Sequence, residues 1–176
     1  MVSFDLPLLR MGLYGALAVF SFLLFVFSAA RLNYTLTLSK GDSLNGGRKF
    51  YDPVVAELLF TSLISMPWAA FMIFSIHKRY ENRYISKFRD EMIMLAFIWI
   101  FWMVGTAYAT SIWAADIASC QNFNACRVLS ALLAFAWLGW LALTALFGIC
   151  LLFTIANHAF LEPLHGRWDP RQTVYA

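Results

Sequence analysis

One carboxylate stands alone in an apolar setting. Glu57 is the only Asp, Glu, Lys or Arg inside any of four long stretches, residues 11–30, 54–76, 92–115 and 128–156. Burying a charge in hydrocarbon is costly, so an ionisable group there is by default a contact for an ion, a proton or a ligand. A structural role competes with that reading. Glu57 lies about one turn into a helix opened by Asp52-Pro53, where the positive helix end favours an anion and Arg31 is a candidate partner.

The remaining reactive side chains give weaker signals. His77, His158 and His165 all fall near the ends of the apolar stretches, and Pro163 breaks the helical spacing between the last two. A haem pair would have to face across a bundle at depth, so neither haem nor metal is expected. There is no Gly-rich phosphate loop, no His-Glu-x-x-His, no Gly-x-Ser-x-Gly and no pair of mid-stretch carboxylates. Cys120 and Cys126 share one short connection, where an oxidising compartment would permit a bridge around Gln121 to Ala125. Closing so small a loop contributes only about 2 kcal/mol, so its role would be to fix the loop's shape. Thiol catalysis is not expected, since Arg127 is the only basic neighbour. Cys150 reads as a small apolar residue. No catalytic residue and no cofactor are expected, and the chain is not read as an enzyme.

These residues must be positioned by elements suited to lipid. A helix needs about 20 residues to cross a hydrocarbon core of roughly 30 Å, and each of the four stretches is long enough. Of 176 residues, 61% are hydrophobic and 13% charged, and the connections 31–53 and 77–91 are too short to build a core of their own. The expected fold is an all-α membrane protein, a single four-transmembrane-helix bundle over 1–176 with a short tail at 157–176. The first stretch exceeds the roughly 7–15 residues of a signal-peptide core, so it reads as a retained span despite Ser28-Ala29-Ala30. Lys and Arg in the connections number eight on the side of the N-terminus and five on the other. That bias places both termini in the cytoplasm. No basic face suited to nucleic acid is present.

Local signals refine the layout. Connection 31–53 reads as a loop turning at Asn45-Gly46-Gly47, and Asn33-Tyr34-Thr35 in it is an N-glycosylation sequon. Asp52 and Pro53 suit the cap and first position of a helix, while Pro67 falls inside one, with Ser65 available to the carbonyl it releases. Between spans two and three, Tyr80, Tyr84 and Phe88 recur every four residues among Lys78, Arg79, Arg83, Lys87 and Arg89. This combination suits the anionic inner leaflet, although an ordinary positive-inside connection accounts for it as well. Span three carries small residues four apart, Gly105 with Ala109 and Ala107 with Ser111, and span four continues with Ala131, Ala134, Ala142, Ala145 and Gly148. Small residues let helix backbones approach where hydrophobicity cannot drive association. Trp99, Trp102, Trp137 and Trp140 read as space-filling aromatics within the spans.

Four spans, inside termini and a cysteine pair before span four resemble the MARVEL-domain proteins, particularly the small fungal type. The residues that carry the resemblance are Cys120, Cys126-Arg127, Ala131, Ala134-Phe135, Trp137-Leu138 and Trp140. It covers roughly residues 8–160, with degenerate motifs. The resemblance implies a non-catalytic role in membrane apposition, vesicle traffic and lateral organisation of sterol-rich domains. The expected function is therefore a scaffold that organises membrane domains through lateral lipid and protein packing. Expected partners are membrane lipids, including sterol, and other membrane proteins or further copies of the chain. The expected location is the plasma membrane, with endomembrane vesicles as the alternative. Two other readings stand beside it: an accessory subunit of a larger transporter or synthase complex, and a small transporter or channel using Glu57.

Overall fold

A computed structural model describes residues 6–39, 48–78, 88–119 and 124–156. Four helices make up the fold: α1 (Leu6–Leu36), α2 (Pro53–Lys78), α3 (Phe88–Ser119) and α4 (Asn124–Ala156). All four are long and apolar enough to cross a membrane. A helix satisfies its own backbone groups, which is the condition a lipid-embedded segment must meet. α1 packs on α2 and α4, and α3 packs on α4 and α2, so each helix lies beside its neighbours in the chain.

The helices are longer than the apolar stretches. α1 continues through residues 31–36, so the first part of connection 31–53 is helical rather than loop. The sequon is therefore in the last turns of a helix. Asn33 is exposed there, but Thr35 is fully buried and its hydroxyl donates to the Leu32 carbonyl at 3.1 Å. Pro53 is the first helical residue of α2, as expected, and the Ala56 amide donates to the Asp52 backbone carbonyl at 3.2 Å. Pro67 lies on the exposed face of α2. Ser65 does not serve the carbonyl that Pro67 releases; its hydroxyl donates to the Thr61 carbonyl at 2.7 Å.

Burial repeats every seven residues. On α1 the buried positions are Arg10, Leu17, Leu24 and Arg31, interleaved with Tyr14, Ser21, Ser28 and Thr35. On α3 they include Phe88, Leu95, Trp102 and Ala109, and on α4 Leu129, Ala136, Leu143 and Cys150. A 3.5-residue repeat keeps one seam facing its partners in left-handed packing, with helices crossing at about 20°. The interleaved set on α1 is hydroxylic throughout, so the inner face is more polar than the outer one. Exposed side chains include Phe22, Phe60, Phe74, Phe97, Leu141 and Leu152, large apolar groups suited to lipid.

Tryptophans tie the helices together. The Trp102 indole N–H donates to Ser65 of α2 at 2.8 Å, Trp99 to Thr144 of α4 at 2.9 Å, and Trp137 to Thr110 of α3 at 3.1 Å. Each bond joins two helices. Gly139 makes room for one of these groups, because a Cβ there would run into the Trp102 ring.

Candidate functional site

Two polar centres lie within the bundle. The first joins the starts of α1 and α3 to α4. Arg10 and Glu91, each about one turn into its helix, form an ion pair at 2.5 Å, and their side chains are 2% and 0% exposed. The Tyr14 hydroxyl donates to the other Glu91 oxygen at 2.6 Å, and the Cys150 thiol donates to that same oxygen at 3.7 Å. The Arg10 guanidinium also lies over the Phe88 ring, 4.7 Å from its centroid. Both carboxylate oxygens of Glu91 are thus engaged by groups from α1 and α4. Chemically this is a brace: the anion is paired with a cation, hydrogen-bonded and closed to solvent.

The second centre is Glu57, on the seam between α2 and α3. The Thr61 hydroxyl donates to Glu57 Oε1 at 2.9 Å. The other oxygen, Oε2, is buried and has no hydrogen-bond partner among the described residues. It rests against Gly105, where a Cβ would collide with the carboxylate. No cation among the described residues acts on Glu57, and the residue as a whole is only half-buried. The expected Arg31 partnership is not formed: the opposite charge that acts on Arg31 is Asp52, at the start of α2. The helix geometry explains this, since Arg31 and Asp52 belong to the adjoining ends of α1 and α2, whereas Glu57 faces α3.

A shallow groove adjoins Glu57 on the same seam. Thr61, Ile64, Phe97, Ile98 and Phe101 line it as an open surface depression rather than an enclosed cavity. Thr61 belongs to both features, bonding Glu57 and forming the groove wall. Phe101 of this wall packs on the Phe60 ring, with centroids 6.3 Å apart. The arrangement places a carboxylate at one end of an apolar, laterally open groove.

The other residues singled out from the sequence divide. Gly105 and Ala109 face inward as a packing seam, but Ala107 and Ser111 are exposed, so the second small-residue pair points away from the bundle. Ala142 is half-buried, and nothing in the structure approaches the space beside Gly148. Lys78 and Arg89 are exposed, with Arg89 3.5 Å from Asp90. Phe88 is buried against Arg10 and Phe153. Cys126 is disulfide-bonded and Cys150 is a free, buried thiol. Cys120, Arg79, Arg83, Lys87, Tyr80, Tyr84, His158 and His165 lie outside the described residues. Cys150 is also more than an apolar filler, because its thiol joins the Glu91 centre.

Glu91 and Tyr14 carry the clearest polar cluster, and neither stands out from hydropathy. Glu91 adjoins the third apolar stretch and looks like an ordinary flanking charge. The available signal is the seven-residue spacing of Tyr14, Ser21, Ser28 and Thr35, which marks the inner face of α1 and puts Arg10 on it. Comparison with protein-family models, curated proteins and solved structures gives no match.

Proposed function

We propose that this chain is a non-catalytic integral membrane protein that organises its surroundings through lateral contact with lipids and other membrane proteins. One observation carries the reading. The bundle turns its ion pair and most of its hydroxyls inward, and all four helices expose large apolar side chains such as Phe22, Phe74, Phe97 and Leu152. Such a surface suits neighbours that are themselves apolar. Exposed Ala107 and Ser111 on α3 add a place where a further helix would approach closely.

In this reading both termini face the cytoplasm and the protein resides in the plasma membrane. Lys78 and Arg89, with Arg79, Arg83 and Lys87, then meet the anionic inner leaflet. Arg10 and Arg31 are buried within helices rather than loop residues, and removing one from each side leaves a bias of seven against four. A Cys120–Cys126 bridge would shape the outer connection ahead of α4. The likeness to MARVEL-domain proteins supports the same role through the residues quoted for it.

Native mass spectrometry from mild detergent tests the proposal directly. The expected result is self-association or associated membrane proteins together with retained lipid. A bare monomer, with membrane-domain organisation unchanged on deletion, would overturn it. A stoichiometric heterologous partner would instead select the accessory-subunit reading, to which the exposed Ala107 and Ser111 face also lends itself.

A further inference from the structure

We infer that the α2–α3 seam is a binding site for a phospholipid with a primary-ammonium headgroup, with Glu57 meeting the ammonium and the groove taking an acyl chain. The inference goes beyond the scaffold role and rests on the reading that α2 and α3 span a bilayer.

Charge complementarity names the headgroup. Glu57 accepts one hydrogen bond, from Thr61, and no described cation offsets its charge. At Glu91 the carboxylate is matched by Arg10 and capped by Tyr14. At Glu57 that complement is missing among the described residues, and the residue is half-buried, with its unpartnered Oε2 packed against Gly105. An ammonium supplies both the charge and the N–H donors. A phosphodiester headgroup without a cation would be repelled, and a quaternary ammonium would bring charge but no donor.

Position names the rest. Glu57 is four residues from the start of α2, about 6 Å along the helix, a depth suited to a headgroup rather than a chain terminus. The groove begins one turn further in, at Thr61. On α3 it runs from Phe101 to Phe97, while Gly105 marks the level of Glu57. Eight residues separate Gly105 from Phe97, about 12 Å of helix. The polar head and apolar trough are therefore in line, in the order in which a phospholipid presents its parts. The trough is laterally open, so a lipid enters from the bilayer without threading the bundle.

The full chain in mild detergent, offered phosphatidylethanolamine, phosphatidylcholine and phosphatidylglycerol with identical acyl chains, and a sterol, provides the test by native mass spectrometry. Phosphatidylethanolamine should be retained preferentially. Glu57→Gln should cut its retention by about tenfold, the scale of losing one charge-assisted bond. Phe97→Ala, at the exposed edge of the groove, should lower retention of the three phospholipids alike. A second measurement needs no substitution. Carbodiimide coupling should join the ethanolamine nitrogen to the Glu57 carboxyl as an amide, located by peptide mapping.

Equal retention of phosphatidylglycerol, unchanged retention in folded Glu57→Gln protein, or no amide at Glu57 would overturn the site. So would a liposome ion flux lost in Glu57→Gln with lipid retention unchanged, which would make Glu57 a transport residue. A chain absent from membrane fractions would sink the bilayer reading as well. Lipid bound without headgroup preference would sink this inference alone.

Discussion

Replacing Glu91 by Gln keeps the side chain's shape and removes its charge. Arg10, 1% exposed, would then hold a cation under Phe88 with its bonded anion gone. Breaking one side of a buried ion pair costs about 3–5 kcal/mol. For a chain of this size each kcal/mol shifts the melting temperature by about 2–4 °C, so Glu91→Gln should lower it by about 6–20 °C. Arg10→Met alone should cost a similar amount, because it strands the Glu91 carboxylate. The double variant Arg10→Met/Glu91→Leu removes both charges and should recover most of the loss, since well-packed apolar replacements of a buried pair are often neutral or stabilising. Thermal melts followed by intrinsic tryptophan fluorescence in a single detergent, with Glu91→Leu alone added, give all four corners of the cycle. Single losses below about 1 kcal/mol, or a double loss equal to the sum of the singles, would refute the brace.

Three further expectations come from the helix contacts. Gly105→Ala puts a methyl into the Glu57 carboxylate, with Glu57 Cδ at 2.8 Å and Leu58 Cδ2 at 2.9 Å, and should cost about 1–3 kcal/mol, partly relieved by Glu57→Ala in the same melt. Gly139→Ala drives a methyl into the buried Trp102 ring and should cost about the same; Trp102→Phe in that background should restore part of it while giving up the Ser65 bond. Cys126 should resist alkylation until a reductant is added, with Cys120 becoming reactive in the same step by peptide mapping; free Cys120 in unreduced protein would rule out their pairing.

Helix existence was legible and helix environment was not. Length and the absence of charge located all four elements, because a run of 20 or so apolar residues has few other uses. Their ends ran further than hydropathy suggested. Asn33 and Thr35 look like loop residues by composition, yet α1 continues through them, and Arg31 remains in the buried register. The inward face was hidden for a physical reason. In water, burial separates apolar from polar residues, but beside lipid both faces of a helix are apolar and the usual contrast vanishes. Ala107 and Ser111 show the consequence: their size suggested an inner seam, and their register turns them outward. Glu57 was legible as the exceptional group, but its partner was not. Sequence proximity to a helix start pointed to Arg31, whereas rotation about α2 points Glu57 at Gly105.

The contrast between Glu91 and Glu57 bears on how such a bundle acquires a single structure. Apolar contacts discriminate poorly between helix registers when lipid is as good a neighbour as another helix. Directional bonds discriminate well, because a misplaced donor in hydrocarbon is left unsatisfied. Arg10, Tyr14 and Cys150 on Glu91 fix one end of the bundle, and the bonds from Trp99, Trp102 and Trp137 to Thr144, Ser65 and Thr110 fix α3 against both neighbours. Glu57, held by Thr61 through one oxygen and unmatched by any described cation, is proposed to take no part in setting register. If Glu57 were instead another register-setting group, Glu57→Gln would lower the melting temperature as far as Glu91→Gln does. The expected ordering is a small change at Glu57 and a large one at Glu91, and the reverse ordering would remove the distinction between brace and site.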